Sequence, residues 1–205
     1  MGEAGSHHGR PRGCGTRPRR HLNRTGPHWR TLLGLYVWPV HLRDATVADA
    51  EAILEIYNHQ VLTSTATFDL VPRTLREQQD WLTRRSGAHA VIVAALDTGD
   101  IGGFGALSAY RERAGYATTV EDSVYVAESR KREGIGRLLL EELVRRARSY
   151  GFHALMAKIV GGHDASIELH RACGFEVVGT EREVGRKFGR WLDVVIMEQL
   201  LAEPF

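Results

Sequence analysis

Residues 121–137 read EDSVYVAESRKREGIGR and run directly into LLLEELVRRARSYG, residues 138–151. The spacing predicts a short strand over 119–127, a basic loop, and an amphipathic helix over Gly134–Tyr150. Ile135, Leu139, Leu143, Ala147 and Tyr150 fall on one helical face. Arg137, Glu141, Arg145 and Arg148 fall on the other, with Glu141 expected to pair with Arg145. Gly134 and Gly136 allow the tight turn that makes backbone N–H groups converge on one point. The helix N-terminus contributes about half a positive charge there, and Arg130, Lys131 and Arg132 contribute whole ones. Several converging donors suit a pyrophosphate better than a carboxylate. The spacing matches neither the phosphate loop G-x-x-x-x-G-K-[ST] nor the dinucleotide fingerprint G-x-G-x-x-G. A lone basic G-x-G before a helix is unspecific, so the rest of the chain must supply its meaning.

Working outward, the periodicities give a mixed α/β (α+β) order, β-α-α-β-β-β-α-β-α-β-β. VHLRDA at 40–45 reads as a strand. Thr46 and Asp49 have the form of a capping box, and Ala50, Ile53, Leu54, Tyr57 and Val61 make a core-facing helical stripe. TSTATFDLVP (63–72) reads as a polar loop with an exposed Phe68. Thr74 and Glu77 form a second capping box, opening a helix to about Arg85. AVIVAAL (90–96) is a continuous apolar strand, followed by a turn and IGGFGALSAY. Gly102, Gly103 and Gly105 in that strand imply a bulge or a close backbone approach. HALMAKIV (153–160) is the next strand, and Ala165–Cys173 the next helix, closed by Gly174. Two last strands, about 175–184 and 191–201, flank the basic turn GRKFGR.

The chain has 205 residues, 43% hydrophobic and 25% charged, enough for one sizeable domain and a tail. Residues 1–38 are Arg-, Gly- and His-rich and cannot bury enough apolar surface to fold, which implies a disordered extension or an over-long start. Within them, residues 1–30 hold seven arginines against one acid, Glu3. The remainder is mildly acidic, about −4 by the same counting, which argues against nucleic-acid binding. The apolar patch Thr31–Val40 is shorter than the roughly 18 residues of a membrane span. Cys14 and Cys173 provide no disulfide framework, which points to a reducing, cytoplasmic setting. The adjacent His7 and His8 lack a third ligand, and nothing else calls for a metal.

The pattern of strand, basic x-x-G-x-G, amphipathic helix, strand, and short helix ending in C-G-F resembles the GNAT superfamily of acyl-CoA-dependent N-acetyltransferases. Within it, EDSVYV (121–126), ASIELHRACGFEVVG (165–179) and VGRKFGRWLDVVIMEQ (184–199) resemble the phosphinothricin/methionine sulfone acetyltransferases. LRDATVADAEAILEIYN and the TATFD loop (65–69) fit as well. The resemblance implies a GNAT fold over 39–205, with about six to seven strands in a mixed sheet and helices on both faces. It also implies acetyl-CoA as co-substrate, a small-molecule amine as acceptor, and a homodimer.

Residue by residue, the resemblance implies that Val124, Tyr125 and Val126 pair with the pantetheine arm. Lys131, Arg132, Glu133, Gly134, Ile135, Gly136 and Arg137 would wrap the pyrophosphate. Glu121 would be the general base for an α-amine whose pKa lies near 8. A glutamate at about 4.3 is a feeble base, so burial beside Val120, Val124 and Tyr116 is expected to raise it. Read without the resemblance, Glu121 is a solvated acid at a strand edge. His170 would donate to the coenzyme sulfur; its alternative is a helix histidine filling space beside Ile167. His163 stands where the superfamily commonly has an asparagine contacting pantetheine, which puts that contact in question. Phe68, Tyr116, Lys187 and Trp191 are the acceptor-site candidates, with Arg186, Lys187 and Arg190 as a cationic rim. Cys173, at a tight helix end without an acid–base partner, is set aside as a nucleophile. Two other functions remain open: a non-catalytic acyl-CoA-binding module, and an acetyltransferase acting on protein amines.

Overall fold

The structure is a computed structural model that describes residues 40–201. The expected extension over 1–38, with Cys14 and the His7–His8 pair, lies outside them. Seven strands form one sheet: β1 (Val40–Asp44), β2 (Val91–Leu96), β3 (Ile101–Ala109), β4 (Thr119–Val126), β5 (Ala154–Val160), β6 (Glu176–Lys187) and β7 (Arg190–Leu200). Their spatial order is β1-β2-β3-β4-β5-β7-β6. All neighbours are antiparallel except β4 and β5, which run parallel. Four helices cover the sheet: α1 (Ala50–Thr63), α2 (Leu75–Thr83), α3 (Ile135–Ser149) and α4 (Asp164–Ala172). The element order and the seven-stranded mixed sheet agree with the sequence reading.

The continuous apolar run of β2 is explained by burial on both faces. Ile92 and Ala94 pack with Ile135, Leu139 and Leu143 of α3, while Val91 and Val93 pack with Ile53, Tyr57 and Val61 of α1. On α3 the buried stripe is wider than the periodicity predicts: Leu140 and Val144 join it, and Tyr150 is exposed. On α1, Ile56 is buried and Leu54 is only partly so. Glu141 takes Arg137 as its partner at 2.7 Å, while Arg145 pairs with Glu142 at 2.7 Å. The expected Glu141–Arg145 pair is replaced by these two. Both capping boxes form, with the Thr46 and Thr74 amides donating to Asp49 and Glu77 at 2.8 and 2.7 Å. Thr46, however, opens a short 3-10 turn (Val47–Asp49) before α1 begins.

The GRKFGR turn is tighter than expected. Gly185 to Lys187 belong to β6, and the turn proper is Phe188–Gly189, both at positive φ (49° and 73°). Such a two-residue turn matches the twist of the flanking strands. β6 is an edge strand, exposed along almost its whole length.

The glycines of β3 serve both expected purposes. The β2–β3 register shifts between Ala94 and Ala95, and α3 lies directly over the strand. A Cβ on Gly103 would stand 2.8 Å from the Tyr125 carbonyl oxygen and 3.2 Å from Ile135 and Leu139. The carbonyl is backbone and cannot swing aside. Gly103→Ala is therefore expected to lower the unfolding free energy by about 1–3 kcal/mol, read from urea denaturation. An unchanged midpoint and slope would show that α3 does not seat this closely.

Candidate active site

β4 and β5 pair through only three residues, Thr119↔Ala154, Val120↔Leu155 and Glu121↔Met156. Beyond them β4 stays with β3 as far as Val126↔Gly103, and β5 stays with β7 as far as Val160↔Val194. The sheet therefore forks at Asp122. Every second residue along each inner edge directs its N–H and C=O into the gap, without a strand to meet them. A cleft of about 590 Å³ fills the fork, bounded by both inner edges, the start of α3, α4, and Gln60, Ser64 and Ala66.

The basic loop closes one end. Arg132 (φ 68°) and Gly134 (φ 83°) both take the left-handed conformation, which turns the chain sharply into α3. No side chain caps the first amides of α3, so they and the helix dipole are left for an anion. Lys131, Arg132, Gly134, Ile135, Gly136 and Arg137 line the cleft together with Val124, Tyr125, Val126 and His163. Glu133 is absent from that lining, and its carboxylate faces Arg130 at 3.8 Å. His163 Nε2 meets the Thr65 hydroxyl at 2.9 Å. Burial, with Lys131 nearby, holds its imidazole below the usual histidine range. That favours the neutral ring, which bridges through Nε2 to the 65–69 loop.

Two adjacent acids mark the throat of the fork on opposite faces of the sheet. Val120, Val124 and Val126 pack toward α3 and Tyr125 toward α1. The two-residue period of a strand then puts Glu121 on the α1 face and Asp122 on the α3 face. The apolar surroundings expected for Glu121 are absent, because Val120 and Val124 point the other way. Instead the Lys158 ammonium lies 3.0 Å from its carboxylate. Asp122 is buried, and its Oδ2 lies 3.2 Å from His170 Nε2. Nδ1 of the same ring lies 2.7 Å from the Ser166 carbonyl. A carbonyl and an ionised carboxylate can only accept, so against ionised Asp122 both ring nitrogens donate. Burial opposes the charged ring, but the hydrogen bond and charge of Asp122 and the Ser166 carbonyl outweigh it. The His170 pKa is raised. Its two N–H groups are thus already engaged, which the reading of His170 as a free donor did not foresee. Burial pushes the Cys173 thiol up, consistent with an unreactive side chain.

The four acceptor-site candidates do not gather in the cleft. Phe68 lays its ring on Gly185, where a Cβ would come within 2.6 Å of three ring carbons. Lys187 is not on a rim: its Nζ is buried and donates to the Thr67 carbonyl at 2.8 Å and the Gln60 carbonyl at 3.5 Å. That burial lowers its pKa. Trp191 is 61% exposed, with the Arg186 guanidinium 5.4 Å from its ring centre. Tyr116 stacks edge-on with Tyr110 at 5.6 Å, with Arg111 against both rings. Tyr110 in turn faces Lys158 at 5.3 Å.

Sequence reasoning missed Asp122, Lys158 and Tyr110. The signal for Asp122 was present: a carboxylate in register with Val120 and Val124 faces the core and needs a partner. Lys158 was legible as the lone charge in an otherwise buried strand.

With this geometry in view, residues 42–196 match the family model described as Acetyltransferase (GNAT) domain. The chain belongs to the GNAT acetyltransferase family. This acetyltransferase is 42% identical over 164 residues to the L-methionine sulfoximine/L-methionine sulfone acetyltransferase of Pseudomonas aeruginosa, covering 80% of this chain and 95% of the relative. The phosphinothricin acetyltransferase of Sinorhizobium meliloti, solved in complex with AcCoA, superposes with a TM-score of 0.77 at 40% identity, covering 80% of this chain and 89% of that one. A ribosomal-protein-alanine N-acetyltransferase from Brucella melitensis gives 0.76 at 41% identity, covering 78% and 99%. The protein is an acetyl-CoA-dependent N-acetyltransferase.

The buried pair has a thermodynamic signature. With its pKa raised on folding, His170 stabilises the acetyltransferase fully below its ordinary value of about 6.5. That contribution is lost as pH rises through the raised value. The unfolding free energy of wild type minus that of His170→Asn should therefore shrink with rising pH across this window in urea titrations. A difference that grows with pH would sink the assignment of a charged ring.

Proposed function

We propose that the protein transfers acetyl from acetyl-CoA to the α-amino group of an amino-acid-like small molecule, by direct attack without an acyl-enzyme. The observation that carries this is the fork itself, with a carboxylate at its throat on one face and a charged histidine on the other. Acceptors of the phosphinothricin or methionine sulfone/sulfoximine type are supported by the names of the relatives.

In this reading the pantetheine arm lies in the fork as a surrogate strand along Val124–Val126, taking the unpaired backbone groups. The pyrophosphate rests on the α3 N-terminus among Lys131, Arg132 and Arg137. Glu121 accepts the proton that the acceptor ammonium must lose before its nitrogen can attack. The nitrogen–carbon bond forms, and the oxyanion is met by backbone N–H groups of the open β4 edge. The carbon–sulfur bond then breaks, and the attacking nitrogen gives up its second proton to solvent to become the neutral amide. The departing thiolate leaves toward the face that carries His170, whose charge, held by Asp122, stabilises it, and takes its proton from solvent. One proton is released overall.

One observation favours a second reading, acetylation of protein amines: the Brucella melitensis neighbour is named for a ribosomal-protein alanine. A CoA-release screen with free amino acids, their sulfone and sulfoximine analogues, and short peptides separates the two. A non-catalytic binding module fits less well, since it requires neither charged group at the throat. Glu121→Gln is expected to lower kcat by about 100- to 10,000-fold while acetyl-CoA binds within about twofold of wild type by calorimetry. Full turnover in that variant would remove Glu121 from the mechanism.

The homodimer belongs to the same proposal. β6 is a long edge strand, and Val177, Val178, Val184, Phe188 and Trp191 are exposed on this hairpin. A long unpaired edge with these apolar side chains exposed is a template for a second copy. Light scattering is expected to give a dimer for wild type and a monomer for Val184→Glu/Trp191→Glu; a monomeric wild type would refute this. The cysteine usage supports a cytoplasmic setting, and the mildly acidic balance beyond residue 30 supports a partner other than nucleic acid. Among the described residues no helix is long and apolar enough to cross a membrane.

A further inference from the structure

Lys158 is out of place in β5. Leu155, Ala157 and Ile159 pack into the core on the α3 face, so Lys158 stands on the opposite face, the one that carries Glu121. Parallel pairing ends at Glu121↔Met156, two residues earlier on β5. The lysine therefore lies beyond the point where the strands part, and reaches back across the throat to Glu121 at 3.0 Å. Both side chains line the cleft, and both are partly exposed, at 36% and 26%. The ring of Tyr110 lies 5.3 Å from the ammonium and gives it a second resting contact.

We propose that the Glu121–Lys158 pair reads the acceptor as a zwitterion, Glu121 taking the α-ammonium and Lys158 the α-carboxylate. This rests on the amino-acid reading above and adds the residue that enforces it. An α-amino acid carries its two charges on one carbon, spaced much as the two side-chain charges are. Without an acceptor the pair satisfies itself. An ion pair this accessible is worth little, so an incoming zwitterion exchanges partners at small cost and leaves no charge unmatched. An amine without a carboxylate brings its own positive charge beside Lys158 and offers nothing in return. A polypeptide N-terminus is in the same position, since its first carbonyl is a neutral amide. The neighbouring cations are otherwise engaged: Arg85 donates to the Leu107 carbonyl and the Ser108 hydroxyl, and Arg111 lies between Tyr110 and Tyr116.

The test compares the best free L-amino acid from the CoA-release screen with its α-carboxamide, on wild type, Lys158→Met and Lys158→Arg. The carboxamide's amine differs in basicity, so the acid-to-amide ratio of kcat/KM is compared between variants, which cancels that difference. Wild type is expected to favour the acid by roughly 10- to 100-fold, the worth of one hydrogen bond to a charged group. Lys158→Met should abolish the preference, with the rate on the acid falling, and Lys158→Arg should keep most of it. Acetyl-CoA affinity measured on each variant shows that the fork is intact. An unchanged ratio in Lys158→Met would overturn the role of Lys158 and leave the acetyltransferase reading standing. Wild type that releases CoA with no free amino acid, amide or analogue, only with peptides, would overturn both.

Discussion

Two parallel strands that pair for three residues and then part company set the terms for everything around them. Each strand keeps its outer neighbour to the end, so the sheet does not fray. It opens only along the inner edges. Backbone donors and acceptors need partners, so along the open edges they are met by water or by a strand-like guest. A flexible arm bearing amides is such a guest, and a side chain is not. The basic loop fits the same logic from the other end. Its left-handed residues and uncapped helix amides leave donors converging where the guest's anionic part would come to rest.

The fork also makes the alternation of a β-strand chemically meaningful. Glu121 and Asp122 are neighbours in sequence, yet one faces α1 and a lysine while the other faces α4 and a histidine. Nucleophile and leaving group approach a carbonyl carbon from different sides. A strand that carries one acid toward each side keeps the two carboxylates apart. The accessible acid has an exchangeable partner, and the buried one has a fixed partner. That difference in burial separates a carboxylate open to exchange in the cleft from one fixed against a ring.

Much of this was legible in the residues themselves. The order of elements, the helix starts at Thr46 and Thr74, the α3 stripe and the anion loop followed from periodicity and capping chemistry, which are local. Val124–Val126 and most of 131–137 line the cleft and could be named together because they belong to one contiguous stretch. The cleft's β5 wall went unnamed, and its α4 wall was named only at His163 and His170. The acceptor side was read poorly because it is assembled from distant pieces. Lys187 looks like a surface cation in the string RKFGR, and only the packing of β6 against the 65–69 loop reveals that its ammonium is buried. Lys158 and Glu121 are 37 positions apart, and no pattern in either strand announces that they meet. Glu121 was given apolar neighbours from sequence adjacency, where the pleat sends Val120 and Val124 to the other face.

The buried Lys187 has a consequence for how the molecule comes into being. Its bonds to Thr67 and Gln60 span 120 and 127 residues, and the bond from Thr65 to His163 spans 98. Contacts of such high sequence separation form late, because the loop-closure entropy must be met first. The 65–69 segment is made early by a chain emerging from its N-terminus, but its anchors come from α4 and from the last hairpin. A nascent chain can therefore complete α1, α2 and most of the sheet and still have one wall of the cleft unmoored. One wall of the cleft is thus moored by residues that are among the last of the described chain to be made.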